Sequence, residues 1–390
     1  MLKKSMKYPW YAGWPLLPLG ALATFVAWQG HRPLLNVAFS LEDRYRYLAL
    51  AEQPFGASTA FAREPPYVWR LLTPTLVHIL PLPITTGFTL VTLLGLAGAA
   101  LALVWLLRGL ELPRSAAVAG GIAFVCLMPA TGFNLYDGLL VDPLGFALLT
   151  LALAAAVHQR GILLLVALVL CALDKEVAVF GGIFAVAWFW RRNLLYLRWS
   201  IACLVITLLV LFSIHSLIHG SRPYGLLGTA LYVNQQALQQ GLLGQRMLLA
   251  TVGTWGILLP LACAAPRFWR TPANLLFLLA VTAQVLVSSD VERVVVYAFP
   301  VIMAACCCTI ESLAASWHVS RWLFWLPVFA LELSWSYTYA PDYFFTIKQG
   351  HTAEVVVLSL LTLAVLGWRL WQWWMGRRIQ PPAGAQVQTQ

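Results

Sequence analysis

Residues 85–107 read TTGFTLVTLLGLAGAALALVWLL, without one charged side chain, and Arg108 follows at once. A run this long and this apolar has the length of a transmembrane helix. Working outward, comparable windows recur at about 12–30, 115–131, 141–157, 161–174, 177–190, 197–218, 247–265, 271–288, 294–314, 321–338 and 353–374. Soluble domains are about 45–50% apolar. This 390-residue chain is 61% hydrophobic and only 10% charged, with a mean hydropathy of +0.77. The expected fold is therefore an all-α polytopic membrane protein without a separate soluble domain. The windows at 161–174 and 177–190 are short, and YVWRLLTPTLVHIL at 67–80 is ambiguous: if it crosses, another short segment must be re-entrant to keep the charge pattern.

The basic N-terminus MLKKSMKYPWYAGW resembles the start of a signal peptide. No small-x-small cleavage site follows, so an uncleaved first span is expected. The net charge of +10 does not call for nucleic acid, because Lys and Arg gather in short loops on one side, as the positive-inside rule requires. With alternating spans and a cytoplasmic N-terminus, that side takes Lys3, Lys4, Lys7, Arg108, Arg114, Arg160, Arg191, Arg192, Arg198, Arg267, Arg270, Arg321, Arg377 and Arg378. The other side takes Glu42, Asp43, Asp137, Asp142, Asp174, Glu176, Asp290, Glu292 and Asp342. Both termini are then cytoplasmic, and the tail 377–390 reads as disordered. The seven cysteines lie in apolar runs without metal-ligand spacing and read as small buried hydrophobes.

Acidic residues contribute little to topology, so their one-sidedness points to a site. SLEDRYRYLALAEQPFG (40–56) reads as a short interfacial helix that ends before Pro54. Leu41, Tyr45 and Leu48 form its apolar stripe, Glu42 is spaced to pair with Arg46, and Asp43 either caps the helix start or serves a site. In REPPYVWRLLTPTL (63–76), Pro65 and Pro66 open a helix that Pro74 kinks or ends, and Arg70 either snorkels or grips an anion. FNLYDGLLVDPLGFALL (133–149) carries Asp137 and Asp142, the latter also suited to capping before Pro143. ALDKEVAVF (172–180) sets Asp174, Lys175 and Glu176 inside an apolar run, where charges seldom face lipid. SSDVERVVVYAFP (288–300) opens a long apolar helix with Asp290, Glu292 and Arg293. The acids suit a helix start; Arg293 does not, and a bound phosphate would account for it.

In this order the segments resemble those of bacterial polytopic glycosyltransferases of the GT-C superfamily, which use polyprenyl-phosphate sugars. The first-loop pattern Asp-Gly-x-Tyr-Tyr-x-x-x-Ala followed by Pro-Phe-Gly is matched by Asp43 through Ala51 and by Pro54-Phe55-Gly56. Tyr67, Arg70, Leu72 and Pro74 match Tyr-x-x-Arg-x-Leu-x-Pro. Asp174-Lys175-Glu176 stands where relatives have Thr-Lys-Glu, and Asp290, Glu292, Arg293 and Pro300 match a late acidic-plus-Arg cluster. Arg44 in place of Gly and Asp174 in place of Thr depart from the pattern, which leaves a non-catalytic relative open.

The resemblance implies a GT-C-like bundle of about 11–13 transmembrane helices over 1–376, with interfacial helices in a first outer loop at 31–84. It implies a bacterial cytoplasmic membrane location and envelope glycan assembly. The donor would be a polyprenyl-phosphate sugar and the acceptor a glycan, lipid or protein. Asp43 would be the base, with Asp142 and Glu42 as further catalytic candidates. Arg70, Lys175 and Arg293 would bind the donor phosphate, and Tyr67, Asp137, Glu176, Asp290 and Glu292 would line the site. A divalent metal stays open, with acids at 42/43 and 290/292 as candidates. The competing reading is a transporter or flippase of an anionic or lipid-linked substrate, which would carry mid-membrane charges and an internal repeat.

Overall fold

The computed structural model describes residues 41–54, 63–127, 129–136, 138–221, 225–241, 243–288, 291–338 and 352–379. The expected first span at 12–30, Asp137, Asp290 and the tail from 380 lie outside the described residues, as do the side chains of Glu42 and Glu292.

The described residues form helices and no strand. In chain order the main helices are α1 (Leu41–Glu52), α2 (Leu72–Ile79), α3 (Ile84–Gly109), α4 (Arg114–Cys126), α5 (Asp142–Val157), α6 (Gly161–Asp174) and α7 (Ala178–Phe189). They continue with α8 (Leu194–Leu217), α9 (Leu226–Gln239), α10 (Leu258–Cys263), α11 (Pro272–Thr282), α12 (Phe299–Trp317), α13 (Trp322–Thr338) and α14 (Thr352–Ile379). Three stretches are long and apolar enough to cross a membrane: Ile84–Gly109, Leu194–Leu217 and Arg293–Trp317. The chain is thus a helical membrane protein. The 67–80 segment is not a span: it divides into a turn at Tyr67–Trp69 and the eight-residue α2. Pro74 neither kinks nor ends α2, because it falls in the first turn, where its missing N–H has no partner to lose.

Local chemistry sets several boundaries. Asn193 caps α8, its side-chain oxygen accepting from the backbone N–H groups of Leu195 and Tyr196 at 3.1 and 3.3 Å. Helix α12 stops at His318, which takes a left-handed conformation. The window at 247–265 is not one helix. It runs as Leu243–Leu248, a π-helical turn at Leu249–Gly253, and α10. Gly256 stands between the last two with φ +46, a conformation that suits glycine. Carboxylate oxygen Oε1 of Glu332 on α13 lies 2.9 Å from where a Cβ at position 256 would sit. That carboxylate accepts from the backbone at Ile257 and Leu258, which holds the break together.

The core is built on α3 lying along α5, with α4, α6, α7 and α12 around the pair. Gly95 makes the α3–α5 contact. A Cβ there would stand 2.6 Å from the carbonyl carbon of Pro143 and 2.8 Å from the nitrogen of Leu144. Backbone cannot swing aside as a side chain can, so Gly95→Ala forces α3 from the start of α5. The expected cost is about 1–3 kcal/mol, read as a lower thermal midpoint in detergent; an unchanged midpoint would show that the helices slide apart freely.

A smaller cluster holds α1 and α2 against α3. Tyr47, Leu50 and Ala51 of α1 pack on Val77, Phe88 and Val91. The inward face of α1 carries Arg46, Tyr47 and Leu50 with Asp43 partly buried beside them; of the expected apolar stripe, Leu48 packs at the edge of this cluster and Tyr45 is exposed. The cause is that Asp43 and Arg46 find charged partners inside, so the polar residues turn inward with Tyr47.

Candidate active site

Four helix ends and one turn meet at a buried charged cluster. Asp142 is the first residue of α5, Lys175 joins α6 to α7, Arg293 lies in the turn of helix before α12, and Asp43 reaches in from α1. Asp142 is fully enclosed. Lys175 Nζ donates to its Oδ1, Arg293 Nε donates to its Oδ2, and the Tyr297 hydroxyl donates to Oδ1 at 2.7 Å. Lys175 also lies 4.7 Å from the centre of the Tyr297 ring. The side chain of Asp142 caps nothing; its oxygens are taken by these three groups. Buried charge of this density is tolerable only when paired and hydrogen-bonded in this way.

Arg293 bridges two acids. Its Nη1 donates to Asp43 Oδ2 at 2.6 Å while Nε holds Asp142. Asp43 also accepts from the Tyr67 hydroxyl and lies 3.7 Å from Arg46. Burial alone would raise the Asp43 carboxyl, but Arg293 and Tyr67 outweigh it and hold it below the ordinary carboxylate range. Tyr67 is shifted upward by burial and by Asp43, so it remains a hydrogen-bond donor. Its ring contacts two guanidinium groups, with its centre 4.5 Å from that of Arg46 and 5.5 Å from that of Arg70. Arg46 in turn pairs with Glu64.

Arg70 forms the second edge of the cluster. Nη1 donates to the Tyr47 hydroxyl at 2.6 Å, and Nη2 stands 3.7 Å from Glu176. The buried Nε has no hydrogen-bond partner. Asp174 fixes this segment from behind: its Oδ1 accepts from Thr73 N at 3.2 Å and from Thr73 Oγ1 at 2.6 Å, capping α2 from another helix. Leu71 N bonds Leu173 O at 2.8 Å beside it. Gly145, one turn into α5, leaves the space that the Tyr297 hydroxyl and Asp174 occupy; a Cβ there would meet them at 3.0 and 3.4 Å.

An apolar groove of about 410 Å³ is lined by Leu71, the residue after Arg70, by Leu173, and by Ile206, Val210, Ile214 and Ile218. Trp69 reaches one of these lining residues: its indole donates to Ile218 O at 3.0 Å, and its ring centre lies 3.9 Å from that of His215.

Of the residues singled out in the sequence, Asp43, Tyr67, Arg70, Asp142, Lys175, Glu176 and Arg293 thus belong to one connected network. Glu42, Asp137, Asp290 and Glu292 cannot be placed in it, for the reasons given with the fold. Tyr47, Tyr297, Arg46 and Glu64 are additional members, and Asp174, noted in the sequence beside Lys175, holds Thr73 at their edge. Tyr47 and Tyr297 each follow a selected residue, Asp43 and Arg293, by four positions, and that helical spacing is the signal that would have found them. Among the described residues no group of three His, Cys, Asp or Glu side chains is arranged to hold a metal ion; Asp43 and Asp142 meet on a guanidinium instead.

A comparison with protein-family models gives no match, and comparisons with curated proteins and with solved structures give none either.

Proposed function

We propose that this chain is a glycosyltransferase that moves a sugar from a polyprenyl-phosphate donor to an acceptor at the outer face of a bacterial cytoplasmic membrane. In this reading it is a GT-C-like bundle of about 11–13 spans with cytoplasmic termini. The observation that supports it is the pairing of a carboxylate, Asp43, with Arg293 in a cluster that also holds Arg70, whose chain neighbour Leu71 lines an apolar groove. A lipid phosphate is an anion on an apolar chain, and this arrangement offers a partner to each half.

The chemistry assigns a part to each group. The acceptor hydroxyl gives its proton to Asp43 as its oxygen bonds the anomeric carbon. The bond from that carbon to the phosphate oxygen breaks, and the lipid phosphate leaves with the electron pair. Arg70 and Arg293 stabilise the charge that grows on it. Asp142, enclosed by three partners, and Lys175, spent on Asp142, orient Arg293 and do not touch substrate.

The test uses the full-length protein in proteoliposomes with a panel of undecaprenyl-phosphate hexoses labelled in the sugar, and with bacterial envelope extract as the acceptor source. The label is expected to leave the lipid fraction for one donor of the panel. Retention of the label on every donor would overturn the reading.

A further inference from the structure

Arg293 is shared by two carboxylates, although a donor-binding cation should offer a free face to phosphate. Resting on the reading above, we infer that Asp43 is a built-in placeholder for the donor phosphate: it occupies the Arg293 guanidinium in the empty site, and the phosphate that displaces it frees it to act as base.

The asymmetry of the two acids identifies the one that leaves. Asp142 has Lys175, Arg293 and Tyr297 on its two oxygens and is wholly enclosed at the start of a core helix. Asp43 has Arg293 and Tyr67, a more distant Arg46, and a side chain that keeps 18% of its exposure. It also comes from the outer α1, while Asp142 is anchored by the α3–α5 contact. An incoming anion therefore meets Asp43 first, and Asp142 keeps Arg293 aimed while the exchange takes place.

In the exchange one anion replaces another on Nη1. Arg70 completes the site, since its Nε lacks a hydrogen-bond partner and the next residue, Leu71, lines the groove. Tyr67 remains on Asp43 after the exchange and keeps the carboxylate in place. Without Arg293, burial acts on Asp43 with less opposition, so the carboxylate becomes a stronger base at the moment a donor is present. Coupling base strength to donor occupancy would keep the empty site from activating water.

The test is calorimetric titration of the full-length protein in detergent, with farnesyl phosphate and inorganic phosphate as probes. Asp43→Asn removes the competing charge and keeps the side-chain shape. It should bind farnesyl phosphate about tenfold more tightly than the unaltered protein. Glu64→Gln removes an equal charge from the neighbouring Arg46 and should change affinity by less than about threefold. Farnesyl phosphate binding more tightly than inorganic phosphate supports a lipid-borne anion; equal binding of the two overturns that source. If the unaltered protein binds but Asp43→Asn gains nothing, or Glu64→Gln gains as much, the placeholder is wrong and the transferase reading stands. If neither phosphate binds any of the proteins, both fail.

Discussion

If the chain transfers sugar as proposed, Asp43→Asn is expected to lower the rate by about 10²–10⁴-fold, the usual cost of removing a general base. The substitution is close to isosteric, and the amide oxygen still accepts from the Tyr67 hydroxyl and from Arg293, so α1 should stay docked through Tyr47, Leu50 and Ala51. The melting profile is therefore expected to change little, which separates loss of chemistry from loss of fold. The loss should fall on turnover, while donor affinity moves the opposite way, toward tighter binding. Single-turnover transfer measured beside a thermal melt decides it. A folded Asn variant that transfers at the full rate would remove Asp43 from the chemistry.

Asp142→Leu should act on the fold. It deletes the acceptor of Lys175, Arg293 and Tyr297 at once and leaves an ammonium that is only 5% exposed without its partner. Removing one side of a buried ion pair costs about 3–5 kcal/mol, because the remaining charge has neither water nor a counter-charge. The double variant Asp142→Leu with Lys175→Met should recover part of this, since it replaces the stranded charge with apolar volume. The measurement is a double-substitution cycle on thermal or denaturant unfolding in detergent. Equal midpoints for the unaltered protein and Asp142→Leu would show that the cluster admits enough water to solvate Lys175.

Much of the helix layout follows from composition. The uncharged run at 85–107 becomes α3, and the windows at 141–157 and 161–174 become α5 and α6 almost residue for residue, since an apolar run bounded by charge or proline leaves a helix few places to end. The window at 247–265 misled, because hydropathy is blind to backbone geometry, and Gly256 breaks an apolar run without making it polar. Helix α9 was hidden for the opposite reason. Its amide-rich sequence, with Asn234 tied to Leu286 O at 2.7 Å, carries little apolar signal.

At the site, the residue types on the acidic side pointed to Asp43, Asp142, Lys175 and Arg293, but not to the pairing among them. Asp43 and Arg293 are 250 positions apart, and their meeting depends on how α1 docks on the bundle. The inward turn of α1 was illegible because its stripe was judged by apolarity, whereas its buried face holds Asp43 and Arg46.

The shortness of α5, α6 and α7 bears on how lipid meets this cluster. Their 16, 14 and 12 residues rise only about 24, 21 and 18 Å, against a hydrocarbon thickness of about 30 Å. Helix α3 beside them, at 26 residues, rises about 39 Å. As membrane-crossing elements, the three short helices would leave their charged ends below the level where headgroups otherwise lie. The leaflet must then dip toward Asp142 and Lys175, drawing lipid phosphates down to the depth of Arg70. A donor arriving along the groove would then meet the cluster without lifting its chain out of the bilayer.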